Sequence, residues 1–465
     1  MLAGDFLTFL ALVATAVNAG SSSNWNPNPA PPAGQFKPGS SQSIGNLKDK
    51  IKNVVLLIME NRSVDNVLGG IKLDGLDVPI STGPYSNPLN LTDPSAGFAW
   101  TSPGDYNEIL DDPDHSVSGN NLEFYSTFLP DREAINSGWL KPSLQGFADE
   151  QIRVYNKDEN STYLANQVLN YYEAEDIAVI SALTENFAVF NNWHGDIPGP
   201  TNPNRVALLS GTSAGTGTNN FPYNFFSQKS IFQQLGETDH TWKNYNAQPI
   251  GGTGPDALWF EWTYNSNNTA LAEINISEFY TDAAAGTLPE FAYINPTCCG
   301  VGSNSMHPSG LISDGETLLK DVYEAVRASP QWNTTLLIIT YDETGGFHDH
   351  VQPPLAVRPD DLTYTELTPI GENYTFYFDR LGGRLPTWII SPWVPAQVVG
   401  YGINPTNGES SSYHATSILQ TLGYLWNFEP FNPRVESAPS FDHLIQTEFR
   451  DAPLTLPNVT TFSTG

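Results

Sequence analysis

Asn53-Val54-Val55-Leu56-Leu57-Ile58-Met59-Glu60-Asn61-Arg62-Ser63 is the stretch whose reading decides the fold. From Asn53 to Met59 the run is apolar almost without a break and β-branched in part, and it stops abruptly in charged and amide side chains. A strand with one wet face would alternate, so a continuous run of this length reads as a strand buried on both faces. Thr335 to Tyr341 (TLLIITY) repeats the pattern and ends in Asp342-Glu343; Leu385 to Ile390 repeats it again and ends in Ser391-Pro392. A helix precedes the second run. Leu318, Leu319, Val322, Tyr323 and Val326 recur at helical spacing, Ser313 and Glu316 have capping-box spacing, and Ser329-Pro330 stops the pattern. Helix followed by buried strand, repeated, predicts an α/β protein with a mostly parallel sheet and helices on both faces.

Working outward, the 465 residues allow a large core. No internal repeat or linker interrupts Leu47 to about Phe428, so residues 48–465 are expected to form one domain with long loop insertions, the Pro-rich segment from Phe431 packing back as a tail. Residues 20–47, rich in Ser, Pro, Asn and Gly without apolar periodicity, predict a flexible leader. In residues 1–19 an apolar run, Phe6 to Val17, precedes Val17-Asn18-Ala19, which predicts a secretory signal peptide cleaved near Ala19. That run is short of the ~20 residues a membrane span requires. The last residues, Thr460 to Gly465, lack the hydrophobic tail of a lipid-anchor signal. Sequons at Asn90, Asn160, Asn267, Asn275, Asn333, Asn373 and Asn458 agree with export, so a soluble, secreted, extracellular glycoprotein is expected. Cys298 and Cys299 are adjacent: either they form a vicinal disulfide or they stay as thiols, and no other Cys exists to complete a thiolate metal site.

Charge narrows the function classes. Lys+Arg total 20 against Asp+Glu 50, a net charge of -30 that repels nucleic-acid backbones. A 12% aromatic share and 15% charged residues, the latter below the ~25% of an average domain, exclude wholesale disorder.

In open α/β sheets functional residues collect beyond the carboxyl ends of the strands. Two of the buried runs end in Glu60-Asn61 and Asp342-Glu343, hard oxygen donors of the kind that Ca²⁺, Mg²⁺ or Mn²⁺ prefers. The plain alternative is that acidic residues end strands because they solvate well. A third segment, Gly195-Asp196-Ile197-Pro198-Gly199-Pro200-Thr201-Asn202-Pro203-Asn204-Arg205, leads into the apolar helical start Val206-Ala207-Leu208-Leu209. Its prolines and glycines force a tight turn that ends at Thr201, with an anion-binding helix N-terminus behind it, an arrangement suited to a hydroxyl attacking phosphorus. The plain alternative is an ordinary Thr N-cap.

Taken together, ENRSVDNVLGG (from Glu60), DPDHS (from Asp112), PGPTNPNR (from Pro198), HPSG (from His307), SPQWNTTLLIITYDETGGFHDHVQPP (from Ser329), RLPTWIISPW (from Arg384) and HATSIL (from His414) resemble, in order and over nearly the whole chain after the leader, a known family. It is that of the secreted phosphoesterases, which includes non-haemolytic phospholipases C and a group of acid phosphatases and has an alkaline-phosphatase-like fold. In detail the chain looks most like the fungal members described as phosphatidylglycerol-specific phospholipases C.

The resemblance implies a phosphoric ester hydrolase in which Glu60, Asn61, Asp342 and Glu343 hold one divalent cation. Thr201 is implied as the nucleophile that also touches the cation and forms a covalent intermediate. His115, His307 and His350 match the family's active-site histidines, fitted by an imidazole pKa near 6.5 to bind phosphoryl oxygens and protonate the leaving oxygen. Asn204 and His348 are supporting or substrate-side residues, and Arg205 reads as structural. Val64, Asn66, Thr344, His348 and His194 depart from the family's usual residues, which bears on substrate preference. His240 and His443 read as surface or packing residues, His414 reads equally as structural or functional, and Trp259, Trp262 and Tyr264 read as core or as a lipid contact. The expected substrate is a phospholipid or, in the acid-phosphatase alternative, a phosphate monoester. Transient contact with a membrane surface is expected, with no nucleic acid and no obligate protein partner. An inactive surface-binding glycoprotein on the same scaffold would show damage at Thr201, Asp342 or Glu343, and all three are intact.

Overall fold

The computed structural model describes residues 36–104, 109, 111–155, 161–246 and 254–460. The expected signal peptide (1–19), the leader up to residue 35 and the sequon at Asn160 lie outside the described residues. The first two apolar runs are strands at the bounds read from them. Strands β1 (Asn53–Met59), β2 (Ala188–Phe190), β3 (Trp242–Asn246), β4 (Ile274–Asn275), β5 (Phe291–Asn295), β6 (Thr335–Tyr341), β7 (Thr387–Ile390) and β8 (Gln397–Val399) form one sheet in the order β8-β2-β7-β6-β1-β5-β3-β4. Only β7 runs antiparallel to its neighbours; the other pairings are parallel. Every residue of β1 and β6 is buried, so both faces of the sheet are covered, and each Val, Leu or Ile so enclosed contributes roughly 1.5–3 kcal/mol.

The register positions the chemistry. β1 and β6 pair in parallel with Met59 opposite Tyr341, so Glu60-Asn61 and Asp342-Glu343 leave the sheet side by side at its carboxyl edge. Packed around the sheet are α1 (Ser41–Lys50), α2 (Val117–Tyr125), α3 (Ala178–Asn186), α4 (Thr201–Ser210), α5 (Ile312–Ala328) and α6 (Ser417–Trp426). The long stretch between β1 and β2 carries α2 and its own apolar cluster around Phe124, Phe147 and Leu169. Near the other end of the chain Val435, Phe441, Leu444 and Ile445 join the main core.

Two expectations are corrected here, and a third, left with two readings, is settled on one of them. The leader does not extend to residue 47: α1 starts at Ser41, with Ser40 accepting from the Ser43 amide, Leu47 buried, and the Gly39 amide donating to Asp442 at 3.0 Å. A polar, Ser-rich segment folds because a partner far along the chain satisfies its donors. Ser313 does not cap α5, which begins at Ile312 after an uncapped Leu311. Glu316 instead reaches across to α3, whose own N-cap residue Ile177 makes no side-chain bond, and accepts from the amides of Val179 (3.1 Å) and Ile180 (2.7 Å). Burial pushes its carboxyl up to about 7. Lastly, Trp259 is core, 3% exposed, so of the aromatic trio only Tyr264 faces solvent freely. Among the described residues no helix is long and apolar enough to cross a membrane.

Candidate active site

Thr201 is the first residue of α4, and Pro200, not Thr201, occupies the N-cap position without a side-chain cap bond. The ordinary N-cap reading is therefore set aside: the Thr201 side chain is released from the backbone. Its hydroxyl donates toward Asn61 Oδ1 and Glu343 Oε1, both at 3.4 Å, and the residue is 4% exposed. Asn204 fixes the turn in front of it. Its Oδ1 accepts from the Ile197 amide at 3.0 Å, and its Nδ2 donates to the carbonyls of Ile197, Gly199 and Pro200 at 2.9–3.1 Å. The root of the turn is held by Asp196, which accepts from His414 Nδ1 at 2.7 Å, while Arg434 donates to the Asp196 carbonyl at 2.9 Å. His414 thus takes the structural side of its two readings.

Asn61 sits at φ +56°, a left-handed conformation that Asn tolerates better than most residues. In that conformation its amide donates to Asp342 Oδ1 at 3.2 Å while its side chain lies between Thr201 and His115, whose Nε2 is 3.3 Å from Asn61 Nδ2. Glu343 accepts from the Gly345 amide, and Gly345 at φ +64° has no substitute, because a Cβ there would stand 2.4 Å from the Asn61 carbonyl oxygen.

Arg205, fully buried, binds Glu60 Oε1 at 2.7 Å, Asp342 Oδ2 at 2.9 Å and Asp256 Oδ2 at 3.4 Å. One guanidinium thus faces three carboxylates, with Glu343 close by, and negative charge is left in excess. Burial, with Asp342 nearby, pushes Glu343 up to about 8 although His115 opposes it; burial also raises Asp342 against the pull of Arg205. Burial works against a charged His115, but Glu343, Asp112 and the Pro113 carbonyl outweigh it and lift the imidazole to about 9. Its Nδ1 donates to the Pro113 carbonyl at 2.7 Å, leaving Nε2 toward Glu343 Oε1, 3.8 Å away. His307 is buried, with Nε2 3.6 Å from the partly exposed Asp112, and burial lowers its pKa.

The structure brings together Glu60, Asn61, Thr201, Asp342, Glu343 and His115, with His307 beside Asp112, and leaves out His350. Both nitrogens of His350 are committed, Nδ1 to Asp65 at 2.9 Å and Nε2 to Asp77 at 3.0 Å, and its ring stacks on Tyr85 at 4.4 Å. These contacts give His350 an ion-pair role in place of the active-site role expected of it. His348 goes with it: Nδ1 lies 3.5 Å from Asp65 and the ring meets Phe147 edge-on at 5.1 Å. Sequence reasoning missed Asp256, for which no motif gives a signal, and Asp112, visible only as the first residue of DPDHS. It also left open Cys298 and Cys299, which form a disulfide whose Cys299 Sγ is 3.9 Å from Glu60 Oε2.

A hydroxyl at a helix N-terminus among buried hard-oxygen donors, on the carboxyl edge of a mostly parallel sheet, defines an α/β hydrolase of phosphoric esters. Residues 51–429 match the profile of the Phosphoesterase family, and the chain belongs to that family. Non-specific phospholipase C6 of Arabidopsis thaliana is 34% identical over 429 residues, covering 88% of this chain and 75% of that one. Non-specific phospholipase C3 of the same plant is 31% identical, with 90% and 78% covered. The non-hemolytic phospholipase C of Burkholderia pseudomallei is 25% identical, with 83% and 57% covered. A solved Vibrio parahaemolyticus protein of the alkaline phosphatase superfamily overlaps 55% of this chain and 62% of its own at 12% identity and a TM-score of 0.35. These relatives are plant and bacterial, and none is named for phosphatidylglycerol.

The donor set fits a divalent cation. Glu60, Asp342, Glu343, Asn61 and Thr201 can each present an oxygen, and all are buried.

Proposed function

We propose that the chain is a secreted, metal-dependent phospholipase C that cleaves glycerophospholipids through a covalent intermediate on Thr201. The observation that supports this most is the approach of the Thr201 hydroxyl, at the start of α4, to both Asn61 Oδ1 and Glu343 Oε1. The relatives, all named phospholipases C, favour a phospholipid over a monoester.

A cation held by Glu60, Asn61, Asp342, Glu343 and Thr201 would supply positive charge to the phosphoryl oxygens and acidify the hydroxyl. The remaining work falls to the chain itself. The N-terminus of α4 favours the phosphate anion, and the Asn204 staple keeps Thr201 Oγ1 aimed. Thr201 attacks phosphorus in line and a phosphodiester of threonine forms as diacylglycerol leaves. His115 Nε2, the inward-facing nitrogen, holds a phosphoryl oxygen; His307, beside Asp112, gives its proton to the departing oxygen and recovers one from the water that attacks next.

Secretion belongs to the same reading. Asn267, Asn275, Asn333, Asn373 and Asn458 are exposed, whereas Asn61, which also begins a sequon, is fully buried, so glycan is expected on several of the former and never on Asn61. Release assays on p-nitrophenylphosphorylcholine, phosphatidylglycerol vesicles and p-nitrophenyl phosphate test the substrate class. Diester cleavage with release of diacylglycerol is expected; turnover of the monoester alone would make the enzyme a phosphatase.

A further inference from the structure

Cys298 and Cys299 lie in the segment between β5 and α5, which is tied to the end of β1: the Glu60 amide donates to the Ser305 carbonyl at 2.9 Å and Arg62 Nε to the Met306 carbonyl at 2.8 Å. Cys298 is buried, Cys299 is exposed at φ +72°, and the chain runs on through Val301, 94% exposed. A non-glycine residue is held in the left-handed region at some cost, and such positions cluster where the backbone serves a function. The disulfide also faces a carboxylate. Glu60, Cys298 and Cys299 each present one ligand atom, and the three atoms lie within 4.8 Å of one another.

We propose that this disulfide is reducible in the folded protein and that, once opened, the two sulfurs and Glu60 form a binding site for a thiophilic divalent cation of the zinc class. Cys299, the exposed member, is the sulfur an incoming thiolate or phosphine reaches. A dithiol reductant transfers two electrons and two protons: the Cys298–Cys299 bond breaks, two protein thiols form and the reductant closes to its own disulfide. Binding of the cation then displaces the two thiol protons. Zinc–sulfur bonds of about 2.3 Å at a tetrahedral centre need sulfurs roughly 3.8 Å apart, so once their bond is broken the two side chains must rotate to separate the sulfurs, with a zinc–oxygen bond of about 2.0–2.2 Å to Glu60 and water completing the tetrahedron. Two thiolates select zinc or cadmium, whereas carboxylate and amide oxygens suit harder ions. The inference rests on these three side chains and not on the phospholipase C reading.

The test uses the full chain. One portion is reduced with a trialkylphosphine and desalted without oxygen, its thiols are counted with a chromogenic disulfide, and zinc affinity is measured by competition with a coloured chelator. The oxidised protein is the control that needs no substitution. Two titratable thiols and one additional zinc, bound at least about tenfold more tightly than by the oxidised form, are expected. The gain should vanish in Cys298→Ser/Cys299→Ser and fall about tenfold or more in Glu60→Gln. A pair that stays oxidised in the folded protein, or equal zinc affinity before and after reduction, would overturn the proposal. Undiminished binding by reduced Glu60→Gln would overturn the three-residue site.

Discussion

Two buried charge clusters flank the same pair of segments, and they differ in balance. Around Thr201, the carboxylates of Glu60, Asp342 and Asp256 share Arg205, Glu343 faces His115, so four carboxylates meet two cations, and burial pushes Glu343 up to about 8. A few residues further along each segment, Arg384 binds Asp65 at 2.9 Å and Asp349 at 2.7 Å, and His350 bridges Asp65 to Asp77. There burial works against a charged Asp65, yet His348, His350 and Arg384 together hold it well below the usual carboxylate range. His350, despite burial, is lifted to about 9 by its two aspartates. The second cluster, two cations against three carboxylates that they bridge directly, is the better compensated and acts as a brace. The unbalanced one is a site, because uncompensated buried charge is what a ligand can neutralise.

The largest expected effect breaks the unbalanced cluster at its nucleophile. Thr201→Ala should lower kcat by on the order of 10³-fold or more while the circular dichroism spectrum and melting temperature hold, since only a hydroxyl is lost. An undiminished kcat would remove Thr201 from the chemistry.

Arg205→Met should cost stability as well as activity. Its removal leaves buried carboxylates facing one another, a loss of about 3–5 kcal/mol that urea denaturation would register. A loss under about 1 kcal/mol would show that solvent reaches this cluster.

The brace should reveal itself through pH. The folded-state pKa of His350, about 9, lies above the ordinary 6.5, so its contribution is fully present below pH 6.5 and is lost as pH rises through 9. The stability gap between wild type and His350→Gln, on the order of 2 kcal/mol near pH 6.5, should close by pH 10. Activity at neutral pH should change far less than for Thr201→Ala, and a catalytic loss of similar size would return His350 to the active site.

The smallest effect sharpens the comparison at the root of the nucleophile turn. His414→Ala removes the donor to Asp196 and should lower kcat about tenfold with KM little changed, because a misaimed hydroxyl costs rate and not binding. His414→Asn, which keeps an N–H donor, should recover most of the rate; equal loss in both variants would mean that the turn does not depend on this bond.

What the sequence made legible follows from how local each signal is. β1 and β6 are continuous apolar runs whose ends carry the acidic residues, so strands and donors were readable from them, whereas their parallel pairing, set by contacts nearly three hundred residues apart, was not. β2 and β8, three residues each, carry no pattern long enough to separate from a loop. Ser313 and Glu316 matched a local capping motif, yet Glu316 serves amides more than a hundred residues away, and spacing holds no record of such a partner. His350 failed for a related reason: a motif match gives a residue type at a position, whereas role depends on where both ring nitrogens point. Asn61, Thr201 and Glu343 lie together because each stands at the end of a strongly patterned element, which leaves its side chain little choice of place.

The stereochemical course at phosphorus tests the central claim most directly. With a substrate made chiral by sulfur and oxygen isotopes, attack by Thr201 followed by attack of water amounts to two in-line displacements, and the account predicts net retention of configuration. Net inversion would mean a single displacement by water, and the covalent role of Thr201 would be wrong.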